Sequence, residues 1–498
     1  MVKISEINAQ NPWWSQGIEF AHYDKSLGEA KPVFFERKPI EPKDGNIYIL
    51  RGPRQVGKTT YIKDVVRKLI ENGTAPRDIL YLSLDFFTSR RELRNAINYF
   101  LESRIDAARI YLLLDEITSI EDWNLELKYL SDQGVLKRGV VLATGSSAVK
   151  LKEKGELLPG RGVEGNDYYI KPLSFREFAL QVIDFVAQHV TQDEFRHTLI
   201  TLKPLLASCS PDLGSGMDKI REGVEKILPF KVTLSYLFRL YLTTGGLPGV
   251  VNHYFDNYYL RQKNTIHSAI AEIFVRDVFG DLARLQKQEN VIRQMLRAIV
   301  DRYGSRYSFS NLSREIEKSH ITTIDYLELM EDSFICFVLY AYDFNKKNMK
   351  AKGDKKVYFF DPFVFHSVRS YLEGKEVWDS ITTSMETEEL RGQMVEGVVI
   401  SHLRMHDEIP LMKHGRTFLW YYYDKSGKEI DAIFRQAGRY LGIEVKYQEQ
   451  VDERDIKRIS PLKKYFILSK EDVEMKETLL ILPVDIFLAL LPISEKNV

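Results

Sequence analysis

The stretch from residue 46 to residue 73 constrains this chain most, because it reads as a strand, a glycine-rich loop and a helix. The stretch is NIYILRGPRQVGKTTYIKDVVRKLIENG, and its loop satisfies the pattern G-x-x-x-x-G-K-[ST]. Backbone N–H groups of such a loop close around phosphate, its lysine reaches the β- and γ-phosphates, and its hydroxyl binds Mg²⁺. The predicted nucleotide-binding residues are Gly52, Pro53, Arg54, Gln55, Val56, Gly57, Lys58, Thr59 and Thr60.

Three further segments complete the predicted ATP site. DILYLSLD and ARIYLLLDEI read as buried strands on either side of an amphipathic helix, and RGVVLATGSS reads as a fourth strand. Asp115 is placed to hold Mg²⁺ through water, and Glu116 to polarise the water that attacks the γ-phosphate. Thr144 or Ser146, at the end of the fourth strand, would sense the γ-phosphate.

Length and composition bound the remaining interpretation. A chain of 498 residues is expected to form two to four domains. Lys+Arg and Asp+Glu both number 70, so contact with nucleic acid would require a local basic patch. Two cysteines, Cys209 and Cys336, argue for a reducing compartment. With no signal-peptide pattern and no apolar run long enough to span a bilayer, we expect a cytoplasmic protein without a membrane partner.

The middle of the chain has a mainly helical pattern up to about residue 289. The segment 290–370 then reads as helix, tight turn, helix and two strands around a basic loop, which is the order of a winged helix. Its second helix is acidic and would be repelled by phosphate, so we do not expect this helix to read bases. The loop offers either a non-specific grip on nucleic acid or a solvated hairpin tip. Its lysines are Lys346, Lys347, Lys350, Lys352, Lys355 and Lys356.

The C-terminal part combines a helix with two alternating strands. After a linker near 375–388, an amphipathic helix carries Glu396, and EIDAIFR and YLGIEVKY follow as strands. Period two puts Asp431, Glu444 and Lys446 on one face. A two-residue turn would set Asp431 opposite Glu444, whereas a three-residue turn would break this pairing. Two carboxylates at such a short distance need a cation between them, and we predict that this cation is a divalent metal.

Residues 46–180 resemble an AAA+ ATPase of the archaeal-ATPase group, related to the signalling (STAND) NTPases. The motifs that carry the resemblance are GPRQVGKTT, LLLDE, LATGSS, LPGR, PLSFREF and TTGGLPGVV. The resemblance implies that Arg161 is an arginine finger acting from a second copy in an oligomer, or else a plain loop residue. It also implies that Pro248 packs against the adenine, and it offers Trp13 and Trp14 of NPWW as a cover for the nucleotide.

Residues 385–490 resemble the restriction-endonuclease-like PD-(D/E)XK domain. The resemblance implies that Glu396 is the helix acid, Asp431 the metal aspartate, and Glu444 and Lys446 the E-x-K pair. A second Mg²⁺ or Mn²⁺ would then be held by Glu396, Asp431 and Glu444, with Lys446 as their partner. The resemblance implies this fold, and it leaves cleavage open.

These observations predict a multidomain α/β protein. Its expected parts are an N-terminal segment (1–45), a P-loop AAA+ core (46–180), a helical lid and connector (181–289), a winged-helix module (290–370) and an α/β restriction-endonuclease-like domain (385–490). One interpretation is Mg²⁺-dependent ATP hydrolysis by Lys58, Glu116, Thr144 and Arg161 that drives action on nucleic acid. The alternative is a STAND-like nucleotide switch that controls assembly, with the other domains as binding modules. Substrate, pathway and oligomeric state are not indicated.

Overall fold

The structure is a computed structural model whose described residues fall into two compact units. The first unit comprises described residues within 1–31 and 36–171, and the second those within 32–35 and 172–495. No helix in the described part of the chain is long and apolar enough to cross a membrane. The described residues are 3–28, 31–145, 166–211, 213, 217–284, 288–406, 419–436, 439–452, 454 and 456–492.

The first unit is built on a five-stranded parallel sheet in the order β2-β3-β4-β1-β5. Every residue of its first, third and fourth strands is buried, as expected when both faces of a parallel sheet are covered. The first four strands were predicted, whereas β5 is too short to show a period and was missed. The strands are β1 (Ile47–Arg51), β2 (Ile79–Ser83), β3 (Ile110–Asp115), β4 (Gly139–Thr144) and β5 (Asp167–Tyr169).

Helices cover this sheet, and apolar residues at helical spacing anchor them. In α5, for example, Leu93, Ala96, Ile97 and Phe100 are buried in the main core of the unit. Because all five strands are parallel, their carboxyl ends meet at one edge, where β1 runs into the glycine-rich loop. The helices are α1 (Ile4–Gln10), α2 (Trp13–Gln16), α3 (Phe20–Tyr23), α4 (Lys58–Glu71), α5 (Arg90–Glu102) and α6 (Trp123–Asp132).

The two adjacent tryptophans lie at the other edge of the sheet. The indole N–H groups of Trp13 and Trp14 both donate to Ile79 O, at 3.1 and 2.8 Å. Ile79 begins β2, so this contact is at the amino end of a parallel strand, away from the glycine-rich loop. The suggestion that the tryptophans cover the nucleotide is therefore wrong, and they tie the N-terminal helices to the sheet.

The second unit begins with a largely helical region that leads to a small antiparallel hairpin. The predicted order of helix, turn, helix and two strands is present as α14, α15, β6 and β9. The helices up to this hairpin are α7 (Phe175–His189), α8 (Asp193–Ser208), α9 (Met217–Ile227), α10 (Lys231–Thr244), α11 (Pro248–Phe255), α12 (Ser268–Arg284), α13 (Glu289–Asp301), α14 (Phe309–Glu315) and α15 (His320–Asp332). The strands are β6 (Cys336–Tyr340), β7 (Tyr342–Asp343), β8 (Asn348–Met349) and β9 (Lys355–Phe359).

The predicted linker near 375–388 is wrong, because a helix lies there. Its buried residues Val377, Ser380, Ile381 and Ser384 recur at helical spacing, a pattern weakened by two serines. The remaining helices are α16 (Pro362–Glu373), α17 (Val377–Glu386), α18 (Glu388–His406) and α19 (Val484–Leu490).

A mixed six-stranded sheet in the order β10-β11-β12-β13-β15-β14 completes the second unit. Gln436 pairs with Arg439, so β11 and β12 are joined by two residues and the predicted register is confirmed. The face that carries Asp431 also carries the fully buried Ile433, so the polar residues do not form a solvent-facing strip. The strands are β10 (Leu419–Tyr423), β11 (Glu429–Gln436), β12 (Arg439–Val445), β13 (Lys464–Ser469), β14 (Glu474–Met475) and β15 (Leu479–Pro483).

The motif PLSFREF joins three helices of the second unit. Arg176, near the start of α7, donates to Cys209 O at 2.8 Å and Ala489 O at 2.6 Å, and also to Leu206 O. These carbonyls lie at the ends of α8 and α19, where backbone oxygens have no partner within the helix. The buried guanidinium therefore holds the start of the unit against its last helix.

The motif GGLPG packs against a buried aspartate. Asp361, the N-cap of α16, accepts from Phe363 N at 2.8 Å and from Gly246 N at 2.7 Å. Burial raises the pKa of Asp361 to about 6. Gly245 has φ +63°, and a β-carbon there would lie 2.0 Å from Asp361 Oδ1. The two glycines are therefore required by a close contact between helices of one unit.

We predict that Gly245→Ala destabilises the second unit. The added methyl group would meet Asp361, and the backbone would be strained, together costing roughly 3 kcal/mol. Thermal unfolding of the full chain should show a melting temperature lower by about 5 °C. The matched control is Gly249→Ala in the same motif, where a β-carbon would meet nothing within 4 Å. An equal loss in both variants would contradict this explanation of the motif.

Candidate functional site

The glycine-rich loop connects β1 to α4 in the first unit. Gly57 is its last residue and has φ +95°, a backbone conformation that glycine adopts without strain. A β-carbon at Gly52 would lie 2.2 Å from Ile170 O, so this glycine is also needed for packing next to β5. Lys58 Nζ donates to Gly52 O and Pro53 O at 3.0 and 2.9 Å. The buried ammonium is therefore held by the first two residues of the loop.

Asp115 connects the loop helix to two neighbouring strands. Its Oδ2 accepts from the hydroxyls of Thr59 at 2.7 Å and Tyr81 at 3.1 Å, and its Oδ1 accepts from the Thr144 hydroxyl. The carboxylate is buried, with only 2% of Asp115 exposed. Three hydroxyl donors from α4, β2 and β4 thus fix this carboxylate at the carboxyl ends of the strands.

Glu116 follows directly and has an unusual backbone. Its φ is +54°, which is the left-handed region, and its N–H donates to Thr144 Oγ1 at 3.3 Å. Such a conformation in a residue other than glycine persists where surrounding contacts determine it. Gly145 packs against the same loop, since a β-carbon there would lie 2.7 Å from the Thr118 side chain. Thr144 therefore links Asp115 to Glu116.

The Thr59 hydroxyl and the Asp115 carboxylate fit a magnesium ion. Both are hard oxygen donors, they lie side by side, and Mg²⁺ is commonly held by one or two protein oxygens together with phosphate and water. Other predicted residues stay untested at this site. Ser146 and Arg161 lie outside the described residues, and Pro248 begins α11 in the second unit.

The second unit brings the predicted acidic residues together and adds one more. Lys356 Nζ lies 3.1 Å from Glu396 Oε1, 2.9 Å from Glu429 Oε1 and 3.2 Å from Asp431 Oδ1. Burial alone would lower the pKa of Lys356, but these carboxylates raise it well above its usual value. A lysine of the chain itself therefore lies between Glu396, Glu429 and Asp431, whereas the predicted cation between Asp431 and Glu444 stays a prediction. We call Lys356, Glu396, Glu429, Asp431 and Glu444 the acidic cluster.

Glu444 lies next to Asp431 in the acidic cluster, as the strand register predicted. Lys446 Nζ lies 2.8 Å from Glu444 Oε1, while Glu444 Oε2 is buried without a hydrogen-bond partner among the described residues. Burial, and then the charge of Asp431, raise the pKa of Glu444 to about 8. Asp431 Oδ2 accepts from Val445 N at 3.0 Å, which keeps the two strands in register.

The acidic cluster does not fit a divalent metal as it is arranged. In the described part of the chain, no three His, Cys, Asp or Glu residues are grouped so that they could hold a metal ion. Glu396 Oε1 and Asp431 Oδ1 are bound by the Lys356 ammonium. The predicted metal ligands Glu396, Asp431 and Glu444 are therefore near one another but not assembled as a site.

The prediction of a basic loop with six lysines is wrong in part. Lys355 and Lys356 are buried residues of β9, and Lys355 Nζ donates to Ala351 O and Gly353 O. Lys350 is half-buried and donates to Tyr423 O at 2.7 Å. Only the other three lysines, Lys346, Lys347 and Lys352, are exposed. In the sequence, the lysines of the loop and the two lysines that begin the strand form one run. The sequence therefore does not show where the loop ends and the strand begins.

Sequence reasoning missed Tyr81, Glu429 and the role of Lys356. Glu429 shares its strand face with Asp431 in EIDAIFR, so the same alternation could have identified it. Lys356 alternates with Tyr358, whose hydroxyl donates to Glu396. No local pattern connects Lys356 to a helix and a strand that follow later in the chain.

Comparison with known families assigns the nucleotide site to a class. Residues 44–179 match the model of the AAA domain. Residues 235–374 and 391–492 match two domains of unknown function, DUF8612 and DUF4143. The first unit thus contains an AAA domain with a P-loop, and this domain implies ATP binding. The C-terminal match does not describe a nuclease.

Relatives extend over most of the chain without adding a function. An uncharacterised protein of Methanocaldococcus jannaschii is 26% identical to this chain. The match covers 65% of this chain and 62% of that protein. An uncharacterised protein of Haemophilus influenzae is 24% identical over 84% of this chain and 87% of its own length.

Solved structures show only a distant likeness. A Walker-type ATPase of Pyrococcus abyssi has a TM-score of 0.38 and 14% identity, over 74% of this chain and 97% of that one. Cdc6p from Pyrobaculum aerophilum has a TM-score of 0.27 and 12% identity, over 75% of this chain and 97% of that one. Scores this low carry no argument about function.

We predict that Tyr81→Phe lowers Mg²⁺-dependent ATP turnover by roughly tenfold, because a hydrogen bond to an ionised carboxylate contributes about 1.5 kcal/mol. The variant keeps the ring but removes the hydroxyl that donates to Asp115. Steady-state ATP hydrolysis at saturating Mg²⁺ measures the effect. The control is Tyr48→Phe in the same sheet, which removes a hydroxyl that accepts a hydrogen bond from Lys43 N. Equal turnover in wild type and Tyr81→Phe would exclude this role.

Proposed function

We propose that this chain is an ATP-hydrolysing AAA protein whose nucleotide turnover controls nucleic-acid binding by its second unit. The observation that supports hydrolysis is the hydrogen bonding of Thr59 and Thr144 to one buried carboxylate, Asp115, with Glu116 next in the chain. The AAA domain implies the nucleotide. The coupling to nucleic acid extends beyond these findings and is part of the proposal.

Each residue of the nucleotide site has a distinct proposed role. Lys58 neutralises charge on the β- and γ-phosphates, and Thr59 and Asp115 hold Mg²⁺, which would neutralise charge that develops on the phosphates. Glu116 polarises the attacking water, and Thr144 orients Glu116 through its backbone N–H. Arg161 as a finger from a second copy would make the active form an oligomer. This last role rests on the family resemblance alone.

We expect Lys58→Ala to abolish ATP binding or turnover, because the phosphates lose their main side-chain cation. Glu116→Gln should leave ATP binding intact and reduce hydrolysis by at least a hundredfold, since a general base typically contributes 10² to 10⁴ in rate. Binding of a fluorescent ATP analogue and phosphate release measure the two effects separately. The control is Glu121→Gln, an exposed acid further along the same loop. Wild-type hydrolysis by Glu116→Gln would disprove the assignment of the base.

The surface proposed to bind nucleic acid lies on the loop between β6 and β9. Lys346, Lys347 and Lys352 are exposed there, and Phe344 of the same loop packs against Tyr422 at 5.8 Å between ring centroids. Tyr422 belongs to β10 in the C-terminal sheet, and the turn after β10 adds the exposed Lys425 and Lys428. Lysines beside partly exposed aromatic rings suit single-stranded nucleic acid. The lysines bind phosphates and the rings stack on bases, and neither contact reads sequence.

We predict that alanine at Lys346, Lys347 and Lys352 weakens binding of single-stranded DNA equally for all sequences. Each lost phosphate contact should lower the salt slope of the affinity by about 0.7. Fluorescence anisotropy at several salt concentrations measures both quantities. The matched control replaces Lys219, Lys457 and Lys463, three exposed lysines of the same unit. If both triple variants bind like wild type, the loop is a solvated hairpin tip.

The alternative function is a nucleotide switch that controls assembly, with the second unit as a binding module only. The observation in its favour is that the acidic cluster is neutralised by a lysine of the chain. Tight ADP that exchanges slowly, and ATP turnover that DNA does not stimulate, would favour the switch. Turnover stimulated by single-stranded DNA would favour the proposed coupling.

A further inference from the structure

The acidic cluster contains almost as many cations as acids. Besides Lys356, Lys446 pairs with Glu444 at 2.8 Å, and Arg306 Nε lies 3.1 Å from Glu429 Oε2. Three basic side chains therefore face the four acids Glu396, Glu429, Asp431 and Glu444. A divalent ion is attracted by uncompensated carboxylate charge, and little of it remains here.

Lys356 is held in place by the strand that carries it. It lies in β9, and only 3% of its side chain is exposed. On the same face of β9, the Tyr358 hydroxyl donates to the Glu396 oxygen that Lys356 also contacts. Lys355 points to the opposite face and binds backbone carbonyls of its own loop. The buried, hydrogen-bonded strand β9 of the hairpin thus positions one ammonium, that of Lys356, among the carboxylates.

A metal ion shared by Glu396 and Asp431 would compete with Lys356. Glu396 Oε1 and Asp431 Oδ1 both contact the ammonium, so an ion that bound these two oxygens would displace it. A displaced ammonium would remain buried without its partners, which is strongly unfavourable. Glu444 Oε2, buried and unpartnered among the described residues, marks a further oxygen that a metal could use once Lys356 is gone.

We propose that Lys356 is the resident cation of the acidic cluster and that it excludes divalent metal from this part of the C-terminal sheet. The inference concerns the unit to which the proposed function assigns nucleic acid, but it does not depend on ATP hydrolysis. It makes the second unit a metal-independent binding module, held so by a contact between the hairpin and the sheet.

The test measures Mn²⁺ binding to the full chain without nucleotide, by electron paramagnetic resonance of free Mn²⁺ and by thermal unfolding. We expect Lys356→Met to gain one Mn²⁺ beyond wild type, with a melting temperature raised by about 5 °C at saturating Mn²⁺. The matched control is Lys355→Met, which removes the neighbouring buried lysine and should gain none. Asp431→Asn added to Lys356→Met should remove the gained ion.

Two results would overturn the proposal. One is a folded Lys356→Met variant that binds no more Mn²⁺ than wild type. The other is Mn²⁺ binding by wild type that Asp431→Asn abolishes. If Lys356→Met does not fold, the comparison of Mn²⁺ binding by wild type and by Asp431→Asn decides. Equal Mn²⁺ binding by these two proteins supports the proposal. ATP turnover, measured on the same samples, tests the proposed function separately, because Lys58 and Glu116 are unchanged in every variant.

Discussion

A carboxylate removed from water needs hydrogen-bond donors or a cation, and this constraint organises the site of each unit. Asp115 accepts hydrogen bonds from three neutral hydroxyls, and none of these donors brings a charge that would compete with a magnesium ion. Asp431 is satisfied by an ammonium, so its charge is compensated before any ion arrives. The same residue type therefore has opposite consequences in the two sites, because the donors differ in charge.

The sequence was most informative where a motif and a period agree. The glycine-rich loop, its flanking strand and helix, Asp115 and Thr144 were all predictable, because a local pattern specifies each element and parallel strands bring their ends together. The pairing of β11 with β12 was predictable for a similar reason, since alternation and a short turn fix one register. Mechanistic roles for Glu116 and Thr144 stay predictions.

What escaped prediction depends on contacts between residues far apart in the chain. Lys356 looked like a loop lysine, because nothing local shows that Glu396 and Asp431 lie beside it. The helix Val377–Glu386 has serines at two of its buried positions, which weakens its helical pattern in the sequence. The glycines of GGLPG pack beside Asp361, 115 residues beyond Gly246, and no local pattern shows this contact. Such buried polar contacts decide the interior of the second unit.

The position of Arg176 has a consequence for biosynthesis. Its guanidinium donates to Ala489 O, a carbonyl 313 residues later in the chain. The first helix of the second unit therefore cannot make all of its hydrogen bonds until the chain has been synthesised as far as Ala489. This contact therefore needs nearly the whole length of the second unit, whereas the sheet of the first unit needs no residue beyond Tyr169.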